Sequence, residues 1–341
     1  MPLKRSPGKI AGLKAVSDTR GVIAAAAMDQ RGLLKAMLAQ HMGAEAPPDS
    51  PSDSMMVQFK ELVTEALTRH ASSILLDLQY GLPAAKRRNG KGLLLAYEHA
   101  GYSVDHPERL PTATEGWSVL RVKEAGADCV KILLYYTPFE RAWINEQKHA
   151  WVERVGAECR AHDIPMFLEF IGYDVHGEDE KGLAYARRKP EIVIRSMQEF
   201  SRERYLADAL KVEVPVQMQF VQGAQACRGE SAYTRSDALA IFREAASSTT
   251  LPFVYLSAGV SNAVFLETLE LAVESGVDFN GVLCGRATWQ DGARIYAREG
   301  AEACKDWLNT KGVENIQRVN EALKFAHPWY DKLGVEAPAP A

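Results

Sequence analysis

Leu210-Lys-Val-Glu-Val-Pro-Val216 is a short β-branched run ended by a proline. It reads as a buried strand, and buried strands rarely carry a lysine, because an ammonium loses its hydration there. Side chains alternate along a strand. Leu210, Val212 and Val214 therefore share one face, and Lys211 and Glu213 share the other. These two are either a structural ion pair or chemistry, and the rest of the chain decides which.

Seven further stretches have the same character, near 22–28, 73–77, 93–97, 129–135, 165–170, 252–257 and 280–284. With 209–214 they make eight candidate strands. Helical patterns separate most of them: 7–18 ahead of the first, then 33–42, 55–70, 114–125, 139–161, 190–204, 234–246 (capped by Thr234 and Asp237), 262–275, and the stretch from Arg286 to about 326. Polar, glycine-containing loops are expected at 43–54, 171–189 and 221–233. Alternating β and α elements imply a parallel sheet, and eight such units favour a closed (β/α)8 TIM barrel of the α/β class. The expectation is one barrel domain over 1–341, with its core at about 15–325, an extra N-terminal helix and a loose Pro/Ala tail at 335–341. The third strand is the weak link, since no clear helix precedes it.

The chain has 341 residues, 47% apolar and 25% charged, and a formal net charge of −4. This excludes a basic nucleic-acid surface, so an anionic ligand must be captured by a few local cations. The longest apolar run, 21–28, is too short to span a bilayer, and no signal-peptide pattern follows the basic start. The five cysteines form no CxxC pair, which argues against a disulfide framework and for a reducing cytoplasm. No GxGxxG follows a strand and no GxxxxGK[ST] occurs. The eight histidines show no metal-ligand spacing, so no metal and no cofactor are expected. His176 lies in a polar loop, and Cys284, in an apolar strand, is better placed for packing than for nucleophilic attack.

Asp29, Asp77, Lys131, Glu169, Lys211, Glu213, Ser257 and Arg286 all lie in or just beyond the candidate strands, most of them toward the C-terminal ends. In barrel enzymes that end carries the active site. Any one of these residues can be merely solvated at a barrel mouth, but two inward lysines and two inward glutamates are hard to satisfy structurally in a confined space. If Lys131 and Lys211 lie close, each disfavours the other's charged form, and a neutral amine can attack a ketone. Glu169 is best placed for the proton transfers that imine formation needs. Barrels often bind phosphate with the loops after strands seven and eight, here Ser257-Ala-Gly259 and Gly285-Arg286.

Met28-Asp-Gln-Arg-Gly32, Tyr80-Gly-Leu-Pro-Ala84, Val130-Lys-Ile-Leu-Leu-Tyr-Tyr136, Phe167-Leu-Glu169, Leu210-Lys-Val-Glu-Val-Pro-Val216, Tyr255-Leu-Ser-Ala-Gly-Val-Ser261 and Gly281-Val-Leu-Cys-Gly-Arg-Ala-Thr-Trp289 occur in one order and spacing. In these segments the chain resembles the class I tagatose 1,6-bisphosphate aldolases over roughly residues 15–325. The resemblance implies a metal-independent lyase on a (β/α)8 barrel, active in carbohydrate metabolism (lactose and galactose catabolism). It implies that Lys211 forms a Schiff base, Glu169 is the acid/base, Asp29 lies near the sugar C4 hydroxyl and Lys131 is the second active-site lysine. Gln30, Ser257, Gly259, Gly285 and Arg286 match positions around the dihydroxyacetone-phosphate half. The implied reaction is reversible cleavage of D-tagatose 1,6-bisphosphate to dihydroxyacetone phosphate and D-glyceraldehyde 3-phosphate, with fructose 1,6-bisphosphate as a second substrate. An aldolase for a related phosphosugar, such as sulfofructose phosphate, and a low-turnover sugar-phosphate-binding regulator are the alternatives. The expected partners are the sugar bisphosphate and a second copy in a homodimer, with no nucleic acid and no membrane. Leu78-Gln79 before Tyr80, and the loops 43–54 and 221–233, depart from the family's pattern and leave the contacts to the second phosphate open.

Overall fold

The computed structural model describes residues 5–43, 49–99 and 108–337. The expectations for His106, for 44–48 of the 43–54 loop and for 338–341 of the tail fall outside these residues. Eight strands close a barrel in chain order: β1 (Ile23–Met28), β2 (Ser73–Asp77), β3 (Gly92–Ala96), β4 (Cys129–Tyr135), β5 (Met166–Ile171), β6 (Ala209–Val212), β7 (Phe253–Leu256) and β8 (Gly281–Cys284). All neighbours are parallel, and β8 returns to β1 with Ile23 opposite Gly281. Every strand expected from the sequence is present, with ends displaced by at most two residues.

The helices are α1 (Pro7–Ala15), α2 (Gly32–His41), α3 (Asp53–Leu67), α4 (Leu82–Ala85), α5 (Val119–Glu124), α6 (Ala142–Ala161), α7 (Leu183–Phe200), α8 (Arg235–Ser247), α9 (Asn262–Ser275), α10 (Arg286–Glu299), α11 (Ala301–Trp307), α12 (Val313–Ala322) and α13 (Trp329–Leu333). Thr234 and Asp237 form the expected capping box on α8. The missing helix before β3 is the single turn α4. It starts at a Gly81-Leu-Pro83 turn too short to show a helical period.

One boundary differs in an instructive way. The sequence places 171–189 in a polar, glycine-containing loop and starts the helix at Pro190. In the structure α7 begins at Leu183 and holds Pro190 inside it. An internal proline lacks the N–H that would bond the carbonyl four residues back. That carbonyl belongs to Ala186, and the Tyr233 hydroxyl donates to it instead. A residue distant in the chain thus replaces the lost backbone bond.

Period-two alternation divides the apolar residues into two cores. Ile74, Leu76, Leu93, Leu95, Val130 and Leu168 point outward to the helices, where Phe59, Val63 and Leu67 of α3 meet them. Ile23, Ala25, Ala27, Leu75, Leu94, Ala96, Cys129, Phe167, Ala209, Val254 and Leu283 fill the lumen. Leu13 and Val16 at the end of α1, with Trp329 of α13, close its N-terminal end. The lumen alanines are small on β1, β3 and β6. Ala96 stands in register with Lys131, so its short side chain leaves room for the long inward chain beside it. Among the described residues no helix is long and apolar enough to cross a membrane.

Candidate active site

Lys211 occupies β6 with Glu169 of β5 directly opposite it. Lys131 lies on β4, and Asp29 follows the last residue of β1. The strand parity that fills the lumen below with apolar groups turns these four inward at the C-terminal mouth. Glu169 Oε2 takes both lysines, Lys131 Nζ at 2.8 Å and Lys211 Nζ at 2.9 Å. Lys131 Nζ also reaches Asp29 Oδ2 at 2.8 Å and Glu98 Oε1 at 2.8 Å. Its ammonium therefore stands at the point that three carboxylates share.

Electrostatics follow from this geometry. Burial works against a charge on Lys131, but Asp29, Glu169 and Glu98 outweigh it and push the ammonium well above its ordinary range. The expectation that the two lysines depress each other does not hold for Lys131: the carboxylates around it move its pKa up. Burial likewise opposes ionisation of Asp29, yet Lys131, then Lys211, hold its carboxyl below the usual carboxylate range. Glu98 goes the other way: burial raises it against the pull of Lys131 and Arg31.

Glu98 was not among the residues singled out in the sequence. It stands two residues past β3, where Asp29 stands one past β1, and an acid following an apolar strand was its only signal. Arg31 backs it, donating to the Glu98 carbonyl at 2.9 Å.

Glu213 belongs elsewhere. Its Oε1 pairs with Lys189 Nζ of α7 at 2.9 Å, and its Oε2 accepts the Gly172 N–H at 2.7 Å. Lys211 and Glu213 are therefore not an ion pair; each is partnered across to a different element. Asp77 is also accounted for, by Lys60 of α3, whose Nζ lies 2.6 Å from Oδ1. Lys60 further donates to the carbonyls of Met28 and Gln30 and so ties α3 to the end of β1. His176 is exposed, and burial pushes the Cys284 thiol up to about 12, which suits packing.

The loops after β7 and β8 meet beside this cluster. Ala258 and Gly259 both adopt the left-handed region, φ 48° and 75°, which turns successive N–H groups to one side. Arg286 opens α10, and a Cβ on Gly259 would stand 2.4 Å from its guanidinium carbon. Glycine is thus required there twice, for the backbone and for the space. Gln30 lies against Gly285, its Nε2 3.3 Å from where a Cβ would be, and donates to Asp29 Oδ1 at 3.3 Å. Ser257 is buried at the end of β7. Burial lowers Arg286, while Asp29 and Glu169 are near enough to counter it, so this end and the lysine cluster are electrostatically one site. Among the described residues Arg286 makes no ion pair. Its fork is open to an anion. Gly259→Ala should displace the guanidinium and raise KM for a phosphorylated substrate about tenfold or more, with a smaller effect on kcat. A steady-state titration checks this, and an unchanged KM would detach Arg286 from the anion.

Such a mouth has an amine for a carbonyl carbon, acids that hold or move protons, and a guanidinium for an anion, the set an aldolase requires. The chain belongs to the DeoC/LacD family of aldolases, which matches residues 23–291. It is 49% identical over 329 residues to the tagatose 1,6-diphosphate aldolase of Listeria monocytogenes serotype 4a, covering 96% of this chain and 95% of that one. It is 48% identical to tagatose 1,6-diphosphate aldolase 2 of Enterococcus faecalis, covering 98% and 99%. Among solved structures, the fructose-bisphosphate aldolase of Slackia heliotrinireducens superposes with a TM-score of 0.57 at 15% identity, covering 91% of this chain and 90% of that one. An archaeal fructose 1,6-bisphosphate aldolase gives 0.52 at 16%, covering 88% and 98%. At these identities the structural likenesses establish the barrel alone.

Proposed function

We propose that this enzyme is a class I aldolase that cleaves D-tagatose 1,6-bisphosphate through an imine on Lys211. The observation that carries the reading is the 2.9 Å contact between Lys211 Nζ and Glu169 Oε2. A base in hydrogen-bond reach of the amine can take its proton and later return it. The neutral amine adds to the C2 carbonyl, Glu169 protonates the carbinolamine hydroxyl, and water leaves. Asp29 accepts the proton of the C4 hydroxyl as C3–C4 breaks. The bonding pair moves into the iminium, glyceraldehyde 3-phosphate departs, and the enamine is protonated at C3 and hydrolysed to dihydroxyacetone phosphate. Lys131 keeps Asp29 anionic until it takes that proton, and Glu98 helps hold the ammonium in place.

Arg286, Gly259, Gly285, Ser257 and Gln30 bind the phosphate of the dihydroxyacetone half. The names of the relatives support tagatose as the sugar. A carboxylate at C4 accepts a proton from either epimer, so fructose 1,6-bisphosphate reacts as well. A cytoplasmic setting suits the five free cysteines. Cleavage of both bisphosphates is to be measured with and without EDTA: the expected result is turnover of both with no loss to the chelator. Loss that added divalent metal restores, or no turnover of either sugar, would contradict the proposal.

A further inference from the structure

The proposed substrate carries a phosphate at each end, and Arg286 accounts for one. β8 and β4 lie four strands apart in the closed order of eight, so the rim over β4 faces Arg286 across the mouth. The inward column of β4 runs through Cys129, Lys131 and Leu133 to Tyr135, its last residue, in register with Ile171 of β5. Arg109 stands on this rim. Its guanidinium carbon is 5.0 Å from the ring centre of Tyr135 and 4.5 Å from that of Tyr173.

Stacking on two rings fixes the plane of a guanidinium and leaves its N–H edge to bond. The platform is itself held. Tyr173 is buried, and its hydroxyl accepts from Lys148 Nζ at 2.8 Å and donates to Glu140 Oε2 at 3.0 Å. Tyr135 lies within electrostatic reach of both Arg109 and Glu169, so the platform borders the reacting groups. Among the described residues the one ion pair of Arg109 is with Glu180 Oε1 at 3.1 Å, and the Glu180 side chain is 40% exposed. An ion pair at the water's edge is weak, whereas a phosphate brings more charge and several acceptor oxygens. Arg31, another arginine near the mouth, is buried and occupied by Glu98.

We propose that Arg109 binds the phosphate farthest from the imine carbon, with Glu180 giving up its place to that phosphate. This rests on the reading of the site as a ketose-bisphosphate aldolase. Two forked cations on opposite rims then hold the sugar extended between them, with Lys211 and Glu169 beneath.

The test compares a hexulose 1,6-bisphosphate with the matching 1-phosphate, which lacks the distal group. In Arg109→Ala the ratio of the two kcat/KM values should fall about 10–100-fold. Arg109→Lys, which keeps the charge but loses the fork and the stacking, should also lower the ratio, and it serves if the alanine variant does not fold. An unchanged ratio in a folded variant would overturn the proposal and make Arg109 structural. Borohydride trapping with dihydroxyacetone phosphate, which has no distal phosphate, separates the two readings. Trapping in wild type with no change in the ratio removes the Arg109 site alone. Absence of trapping in wild type removes the aldolase reading and this site with it.

Discussion

Lys211→Ala is expected to lower kcat/KM by about 10⁴-fold or more, because the covalent route closes with the amine. The structure also predicts that the variant folds. Glu169 Oε2 keeps Lys131 Nζ at 2.8 Å when Lys211 is gone, so no buried carboxylate is left without a cation. The methylene groups lost lie above a lumen already filled by Phe167, Ala209 and Val254. Thermal unfolding should therefore shift little while turnover disappears. A variant that loses both in parallel would make Lys211 a structural cation and would undo the proposed chemistry.

Lys131→Met should do the opposite with stability. Three carboxylates share the Lys131 ammonium, and its side chain is only 1% exposed. Removing one partner of a buried ionic cluster costs about 3–5 kcal/mol, because the remaining charges are uncompensated. The sign of the pH dependence follows. Asp29 has its folded pKa lowered from 3.8, so its contribution is present above that value and lost as pH falls. Lys131 has its folded pKa raised above 10.5, so its contribution is complete below 10.5 and is lost only as pH rises through the higher folded value. Around neutrality both contributions are in place. The destabilisation by Lys131→Met should thus be largest near about pH 7 and shrink toward about pH 3, where the carboxyls of the variant, without the cation, protonate and no longer carry an unpaired charge. Denaturant titrations of both proteins across that range would show it. A difference independent of pH would mean that the methionine acts through packing. Activity should fall too, since Asp29 loses the charge that keeps it anionic.

Much of this architecture is legible in the chain. Eight apolar runs ending in polar residues are the mark of strands buried on both faces, and parity alone puts Lys131, Glu169 and Lys211 inside. What was hidden depends on closure. Nothing near Glu213 in sequence announces Lys189 on the preceding helix α7, and nothing near Asp77 announces Lys60. Glu98 has the same logic as Asp29, but it lies beyond the strand-like run that ends at Tyr97. The start of α7 is obscured because Tyr233, 47 residues beyond Ala186, repairs the bond that Pro190 cannot make. Arg109 acquires meaning only once Tyr135 and Tyr173, from two different strands' ends, stack on it. Local pattern predicts elements, and partners follow from how the elements close.

Borohydride reduction in the presence of dihydroxyacetone phosphate decides whether Lys211 is the nucleophile. The trapped secondary amine, located by peptide mass mapping, should lie on Lys211 and be absent from Lys211→Ala. An adduct on Lys131, or none on either lysine, would mean that Lys211 is not the nucleophile.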